Sequence, residues 1–407
     1  MKKIVITGMG AVTPIGIGVE KYWENLLAGK TGIDYIDQPE FQELQACFAG
    51  QVKDFKAKDF MSGKLASQMD RFMQMGFAAA SEAIADCGGI DDPYRTGIIC
   101  GTALNGISTI TDTERSYHSS QFGKVSPRFL PKALGNVCAS QIAIANSIHG
   151  PSMTLNTACA SGGDAISLGA MMIQMDIADM IIAVGAESGL EPILFQSLIG
   201  AQALSMKNDN PQKACRPFDI NRDGFVSGEG AGAIVIESEE HAKARAAKTY
   251  AALSGWGNNT DAYHPVTPRP DSEGEILCMR QAINMAGIKP EQIGYINAHG
   301  TATIKGDICE TNAMKKVFGE NAAVPISSTK AATGHMMGAG GITEVITCIK
   351  AIEMGIVPAT LNLENRDPLC NLNYITENTK KVEIDYAMSN AFGFGGQNSS
   401  IVIGKDK

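Results

Sequence analysis

The sequence predicts an α/β fold built from two duplicated halves. Strand-like apolar runs alternate with helical patterns of roughly 10 to 15 residues, as in the βα units of a parallel sheet. Four short motifs occur twice and in the same order, and no low-complexity tract or Pro/Ser-rich linker divides the chain. Because the second set of motifs begins shortly after residues 245–250, we expect one half at residues 1–247 and the other at residues 248–407.

The four motif pairs place similar residues at similar element boundaries. In each pair, glycines follow a strand-like run or open a helix. The pairs are ITGMG with LSGWG, CGTA with HGTA, ACASGGDAIS with GHMMGAGGITEV, and IIAVGAESG with AMSNAFGFGG. One such pair can arise by chance, whereas four in register indicate a duplication. Equivalent loops would meet across a pseudo-twofold axis, which would bring Cys159 near His299, His335 and Phe394.

Composition and charge narrow the classes of function. Of the 407 residues, 44% are hydrophobic and 19% are charged, as in an ordinary globular protein. The net charge of −9 argues against a nucleic-acid surface, because phosphate binding needs concentrated Lys and Arg. The apolar runs are too short to span a bilayer, and the first residues do not resemble a signal peptide. The ten cysteines include no CxxC pair. We therefore expect a cytoplasmic protein with reduced thiols and no membrane partner.

Three other motifs are incomplete. GMGAVT resembles the start of a dinucleotide fingerprint, but Thr13 stands where the third glycine should be. AGKT resembles a P-loop, but Glu24 occupies the position of the first glycine. DINRDGFVSGEG, residues 219–230, resembles an EF-hand loop, but Glu229 falls one position early, so a structural turn is the better interpretation. Without an HExxH motif or paired His/Cys spacing, we expect no metal chemistry.

Cys159 in NTACASGGD is the leading candidate nucleophile. Its neighbours, Thr157 to Gly163, are small enough for a substrate to reach the sulfur. The apolar-periodic helix that follows would place its positive dipole end and its free N–H groups beside the thiol, which would favour the thiolate and offer oxyanion donors. A packed structural cysteine is the alternative that this motif alone leaves open.

Further candidates lie in loops of the second half. His299 in NAHGTAT and His335 in STKAATGHMMGAGG each lie between a strand-like run and small residues, and Lys330 precedes His335 by five residues. The histidines can donate hydrogen bonds to a thioester carbonyl as negative charge develops, and the lysine can set the local field. A lone histidine at a strand end is more often structural, so the prediction depends on the group. In NAFGFGGQN, Phe392 and Phe394 lie among glycines, which suits either a ligand gate or a buried turn.

Together, TACASGG, NAHGTAT, KAATGHMMGAGG and SNAFGFGGQN resemble the β-ketoacyl-[acyl-carrier-protein] synthases of the thiolase superfamily. The chain is most similar to the type II elongating enzymes of bacterial fatty acid synthesis, and the resemblance extends from TGMGAVTPIG through RPFDINRDGFVSGEGAG to the C-terminus. It implies a layered αβαβα thiolase-like fold, a dimer and acyl carrier protein as the partner. It also implies no cofactor beyond the phosphopantetheine arm that carries the substrates.

The resemblance implies a role for each motif residue. Cys159 would accept the acyl chain, and His299 and His335 would stabilise the enolate formed when a malonyl thioester loses CO2. The backbone N–H groups of Cys159 and Phe394 would form the oxyanion hole, and Phe394 would gate the site. The other implied residues are Lys330 paired with Glu344, the supporting acids Asp307 and Glu310, the phosphopantetheine-binding Thr301 and Thr303, and the substrate-binding Leu104, Leu198 and Phe392.

Several positions depart from the family pattern. Ser67, Gln68 and Gln202 stand where basic residues that face the acidic carrier protein are expected, and TALNG around Leu104 replaces a glycine-rich stretch. The remaining candidates for carrier docking are Lys64, Arg128, Lys132 and Lys207. These departures keep open a type II polyketide or polyene ketosynthase that pairs with a chain-length-factor subunit. A non-catalytic chain-shaping subunit and a degradative thiolase are weaker alternatives, because Cys159 is intact and NAFGFGGQN contains no second cysteine.

Overall fold

A computed structural model describes residues 2–119, 123–379 and 381–406. Its strands are β1 (Ile4–Thr13), β2 (Gly16–Ile17), β3 (Ile33–Tyr35), β4 (Phe48–Gly50), β5 (Thr96–Gly101), β6 (Ser152–Leu155), β7 (Met180–Glu187), β8 (Gly230–Ser238), β9 (Ala251–Thr260), β10 (Ile293–Asn297), β11 (Ile326–Ser327), β12 (Tyr386–Gly393) and β13 (Gln397–Gly404). Its α-helices are α1 (Val19–Leu27), α2 (Gly63–Ala66), α3 (Arg71–Asp86), α4 (Ile107–Ser119), α5 (Phe129–Ala133), α6 (Asn136–Asn146), α7 (Ser161–Gln174), α8 (Pro192–Gly200), α9 (Glu239–Ala244), α10 (Glu273–Ala286), α11 (Ile304–Phe318), α12 (Lys330–Thr333) and α13 (Gly340–Met354).

The main sheet is symmetrical about its centre. Its strand order is β11-β10-β12-β13-β9-β1-β8-β7-β5-β6, and β2 pairs with β1 outside this path. An antiparallel pairing of β1 with β9 joins the halves. On either side, β5 and β10 pair in parallel with two neighbours each, and β7 and β12 pair antiparallel with β8 and β13. Each of the ten strands on this path therefore has a counterpart in the other half, in the order that the motif pairs predict.

Helices lie between and outside the two half-sheets. α7 and α13 pack against each other and against strands of both halves, whereas α3 and α10 cover the outer faces of the first and second half. The central apolar cluster includes residues of both inner helices and of strands from both halves, and two further clusters lie under α3 and α10. The result is five layers, which confirms the predicted αβαβα arrangement.

The glycine pairs that open α7 and α13 allow these two helices to meet closely. A Cβ on Gly162 would lie 2.8 Å from the carbonyl oxygen of Gly338, and a Cβ on Gly341 would lie 2.7 Å from the backbone nitrogen of Gly163. Only glycine permits such an approach. The residues before each helix are consequently held against the opposite half.

The segment that resembles an EF-hand loop is a structural turn, as expected. Asp219 accepts hydrogen bonds from the backbone N–H groups of Glu364 and Asn365. Glu229 forms an ion pair with Arg71. Protein donors therefore occupy these carboxylates.

The boundary predicted at residues 247 and 248 falls in the connection between α9 and β9. In the ranges that the structure describes, no helix has the length and apolar character needed to cross a membrane.

Candidate active site

Four loops converge near the carboxyl ends of the parallel strands. β10 runs parallel to β11 and β12, so these three strands end at the same edge of the sheet. His299 follows β10, His335 follows β11 and α12, and Phe394 follows β12. Cys159 comes from the other half, in a 3-10 turn immediately before α7. The structure therefore brings together the four residues that the duplication predicts to meet.

The cysteine and the two histidines form one compact group. Cys159 Sγ lies 3.0 Å from Nε2 of His335. The rings of His299 and His335 meet edge to face with their centroids 5.3 Å apart. The sulfur and one nitrogen of each ring all lie within 4.8 Å of one another, and each residue is at most 9% exposed. A single bound thioester group can therefore contact all three side chains.

Backbone conformation aims donors at the sulfur. Ala158, directly before Cys159, has φ 49°, a left-handed conformation that is uncommon outside glycine. The backbone N–H of Phe394 donates to Cys159 Sγ. A Cβ on Gly393 would lie only 3.1 Å from the backbone nitrogen of Cys159, so a glycine is needed where the two turns touch. The N–H groups of Cys159 and Phe394 therefore lie on turns that touch, and their role as oxyanion donors remains a prediction.

The Cys159 thiol differs from the sequence-based expectation of a favoured thiolate. Burial raises its pKa to about 11, although the N–H of Phe394 and the charge of Lys330 act in the opposite direction. The sulfur precedes α7 at the buried end of a cavity, and there the loss of hydration outweighs the helix end. With a pKa of about 11, the thiol is protonated at neutral pH.

The two candidate catalytic histidines, His299 and His335, are neutral. Burial lowers the pKa of His299 and of His335 well below 6.5, and the positive charge of Lys330 lowers both further. Nδ1 of each ring is buried and has no hydrogen-bond partner among the described residues. A neutral imidazole can still donate one hydrogen bond through its protonated nitrogen.

Lys330 and Glu344 form a buried ion pair beneath the histidines. Lys330, on α12, donates to Oε1 of Glu344, on α13, and the two side chains are 2% and 4% exposed. Burial raises the pKa of Glu344, and Lys330 opposes this. The pairing inferred from the family resemblance is therefore present in the structure.

Two buried acids hold the His299 loop. Glu310 accepts hydrogen bonds from the backbone N–H groups of His299 (2.8 Å) and Gly300 (2.7 Å). Asp307 accepts one from the N–H of Ala302 at 3.1 Å. Burial raises the pKa of Glu310 to about 7 and that of Asp307 to about 6. These acids hold the loop through its backbone and also line the cavity at Cys159.

A cavity of about 490 Å³ opens at Cys159. The substrate-binding residues inferred from the family resemblance all line it: Leu104, Leu198, Thr301, Thr303 and Phe392. The hydroxyl oxygens of Thr301 and Thr303 lie 3.1 Å apart. Phe394 also lines the cavity and is 36% exposed, and its role as a gate remains a prediction.

The four docking candidates do not line this cavity. Lys64 is exposed in α2, and Arg128 donates to Oγ of Ser67 at 3.1 Å. Lys132 lines a separate polar cavity. Lys207 donates to a backbone carbonyl of the turn that resembles an EF-hand loop. Their role in docking remains a prediction.

Sequence reasoning missed two residues of the site. Glu187, at the end of β7, accepts hydrogen bonds from the N–H groups of Ala103 (2.7 Å), Leu104 (3.1 Å) and Gly338 (3.3 Å). Its position in the repeated strand motif IIAVGAESG was the available signal. Lys305 lines the cavity, but its neighbours in ATIKGD gave no signal for binding.

Family models match both halves of the chain. Residues 1–242 match the N-terminal domain of beta-ketoacyl synthase, and residues 250–364 match its C-terminal domain. Among sequence relatives, 3-oxoacyl-[acyl-carrier-protein] synthase 2 of Vibrio cholerae is 41% identical, over 99% of both chains. The protein of the same name from Synechocystis is 38% identical, over 99% of this chain and 98% of its own.

Solved structures agree over the full length. A beta-ketoacyl synthase from Burkholderia phymatum is 32% identical with a TM-score of 0.92, and both chains are fully covered. A ketosynthase of a type II polyketide system, solved with its acyl-carrier protein, is 30% identical with a TM-score of 0.91 and the same coverage. The ishigamide ketosynthase/chain length factor is 29% identical with a TM-score of 0.92 and full coverage. With its five layers and its Cys-His-His group, this chain belongs to the β-ketoacyl synthase family.

Proposed function

We propose that this protein catalyses the decarboxylating condensation of a Cys159-bound acyl chain with malonyl-[acyl-carrier protein] in fatty acid elongation. The products are β-ketoacyl-[acyl-carrier protein] and CO2. The observation that carries the proposal is the 3.0 Å contact between Cys159 Sγ and His335 Nε2, with His299 beside them in one cavity. The relatives named 3-oxoacyl-[acyl-carrier-protein] synthase 2 support it.

In the first step, Cys159 takes the acyl group from its carrier. The thiolate attacks the thioester carbonyl, and the N–H groups of Cys159 and Phe394 hold the oxyanion. The tetrahedral intermediate collapses with the carrier thiolate as the leaving group. Nε2 of His335 donates to the sulfur as the thiolate forms, and the thiol proton ends on the carrier thiol that leaves, so a substrate can react although the resting pKa of Cys159 is about 11.

In the second step, the malonyl thioester loses CO2. The carbon–carbon bond to the carboxylate breaks, and its electron pair forms an enolate on the thioester. N–H donors of His299 and His335 stabilise the enolate oxygen, and their lowered pKa keeps both rings neutral. No strong base is needed.

In the third step, the enolate carbon attacks the carbonyl of the acyl-Cys159 thioester. A new carbon–carbon bond forms, the bond to sulfur breaks, and Cys159 leaves as a thiolate that takes up one proton from solvent. A thiolate serves both as nucleophile and as leaving group, which explains the choice of cysteine at this position.

The reaction as proposed uses no resident metal or organic cofactor. Loss of CO2 drives bond formation, and the substrates arrive on phosphopantetheine arms. The Cys-His-His group has donor spacing that a metal site also shows. Lys330, however, lowers the pKa of both histidines through its charge, and the same field opposes a bound cation.

We propose that residues 1–247 carry the nucleophile half and residues 248–407 the histidine half, and that two chains associate through β6. This strand lies at the end of the sheet order, and its Met153 is 45% exposed. An uncovered edge strand readily pairs with a second chain. A homodimer is the first choice, and a chain-length-factor partner is the alternative. All ten cysteines are free and nine are buried, which supports a location in the reducing cytoplasm.

A ketosynthase of a type II polyketide or polyene pathway is the second candidate function. The observation that favours it is the loss of expected basic residues at Ser67, Gln68 and Gln202, together with Leu104 on the cavity wall. One structural relative, at 30% identity, is from a type II polyketide system, and another, at 29% identity, is a ketosynthase/chain length factor. The sequence relatives at 38% and 41% identity favour fatty acid elongation.

The test is to incubate the protein with malonyl-carrier protein and a series of acyl-carrier proteins, and to identify products by mass spectrometry. We expect a β-ketoacyl product two carbons longer than its primer, and an acyl adduct on Cys159. Products from saturated primers alone support fatty acid elongation, and preference for β-keto or polyene primers supports the second candidate. Absence of product with every primer would refute both.

A further inference from the structure

The cavity that leads to Cys159 has one lysine or arginine among its described lining residues. That residue is Lys305, in the first turn of α11. Acidic residues are more numerous on the same walls, namely Asp223, Asp261, Glu275, Asp307 and Glu310. Since the whole chain also carries a net charge of −9, an anionic ligand entering here would be repelled unless a cation met it.

Residues 299–305 trace a path from the sulfur to solvent. His299 is 9% exposed and Thr301 is 7% exposed, whereas Ile304 is 57% exposed and Lys305 is also exposed. All four line the cavity. The chain therefore runs from the reacting centre toward the mouth, where Ile304 and Lys305 are exposed.

The ammonium group of Lys305 is available to a ligand. It forms no ion pair or hydrogen bond with any residue in the ranges that the structure describes. By contrast, Lys330 is paired with Glu344, and Lys207 is bound to a backbone carbonyl. Lys305 is thus an unpaired cation on the route by which a substrate reaches Cys159.

We propose that Lys305 binds the phosphodiester group of the phosphopantetheine arm, an inference that rests on the proposed function. The thioester end of the arm must lie at Cys159, so its anionic end lies toward the mouth, beyond Thr301 and Thr303. A lysine ammonium is a strong donor to phosphate oxygens. Because Ser67, Gln68 and Gln202 lack charge, Lys305 supplies attraction that those positions do not.

The test compares ligands with and without the phosphate. Binding of phosphopantetheine and of pantetheine is measured by titration calorimetry on wild type, Lys305→Ala and Lys305→Arg. Lys316→Ala is the matched control, because Lys316 lies near the other end of α11, roughly 16 Å along the helix. The same variants are assayed for Cys159 acylation by acyl-phosphopantetheine, acyl-pantetheine and acyl-carrier protein.

We expect Lys305→Ala to reduce the preference for phosphopantetheine over pantetheine by about three- to tenfold, in both binding and acylation. The preference should persist in Lys305→Arg and Lys316→Ala, and it should weaken with salt in wild type. An unchanged preference in Lys305→Ala would overturn the proposal. So would a loss confined to acyl-carrier protein, since Lys305 would then contact the carrier itself. The calorimetry decides the question even if no donor acylates Cys159, a result that would refute the proposed function instead.

Discussion

The two halves place the same backbone turn before their central helices but give it different side chains. The turns Ala158–Ala160 and Met337–Ala339 are both 3-10 helices, and their first residues have φ 49° and 43°. Aligned in this way, Gly338 occupies in the second half the position that Cys159 occupies in the first. The duplicated backbone therefore creates two equivalent points, and only one of them carries a nucleophile.

The strand end that faces each turn differs in a complementary way: a glycine faces the Cys159 turn, and a glutamate faces the Gly338 turn. β7 and β12 each have eight residues and end at Glu187 and Gly393. The Glu187 carboxylate accepts the N–H of Gly338, so it fills the space at that point. At the other point, Gly393 has no side chain, and its backbone lies directly against the turn that carries Cys159. Cys159 on its turn faces a glycine, whereas Gly338 on the equivalent turn faces Glu187. This exchange of glycine and a larger residue makes one point reactive and the other structural.

Removing the nucleophile should give the largest effect. Cys159→Ala should lower condensation by at least about 10³-fold, because no covalent acyl intermediate can form. Cys278→Ala, at another buried cysteine, is the control, and in this variant Cys159 should still form the acyl adduct. Intact-protein mass spectrometry after incubation with acyl-carrier protein measures the adduct. An adduct of normal yield in Cys159→Ala would place the nucleophile elsewhere.

The acids that hold equivalent loops should make stability depend on pH. Burial raises the pKa of Glu187 and of Glu310 from 4.5 to about 7. Below pH 4.5 each carboxyl is protonated in both the folded and the unfolded chain, and its contribution to the free energy of unfolding is fully present. As the pH rises through about 7 this contribution is lost, because the unfolded chain ionises at a lower pH than the folded protein does. Each group can contribute up to about 3 kcal/mol to the free energy of unfolding over this range.

Denaturant unfolding from pH 4.5 to 7.5 tests this for both halves. Glu187→Gln and Glu310→Gln cannot titrate, so each should flatten the fall in stability. Only Glu310 holds the backbone of His299, and its variant should lose more condensation activity. An unaltered pH slope in both variants would mean that these carboxyls are ionised when folded.

Gly393, beside Cys159, and Gly338, beside Glu187, allow a matched test of the reactive and the structural point. A Cβ on Gly393 would lie 3.1 Å from the backbone nitrogen of Cys159, and one on Gly338 would lie 3.1 Å from Oε2 of Glu187. We expect Gly393→Ala to slow Cys159 acylation by about 10- to 100-fold through displacement of the oxyanion donors. Gly338→Ala should mainly lower the melting temperature. The comparison fails if Gly338→Ala impairs acylation more than Gly393→Ala does.

Local patterns were sufficient to predict the fold and which residues come together in the candidate site. Glycine spacing and strand ends predict the duplication and the approach of Cys159 to the histidine loops, since covalent order and parallel pairing determine which loops meet. Glu187 was missed because its role depends on three N–H groups from distant segments. The protonated state of Cys159 was also missed, since the extent of burial depends on how both halves close over the sulfur.

The field at the sulfur gives the smallest expected effect and links the two halves electrostatically. Lys330, in the second half, lowers the pKa of Cys159, in the first, against the larger effect of burial. Replacing Lys330 alone would leave Glu344 buried without a partner, so the double variant Lys330→Met/Glu344→Leu is the better test. At pH 8 its rate of alkylation by iodoacetamide should fall by about three- to tenfold, because less of the thiol is ionised. In wild type the rate should keep rising with pH toward about 11. A plateau near pH 8.5 would instead show that burial does not control this thiol, and that the helix end and Lys330 together offset its loss of hydration.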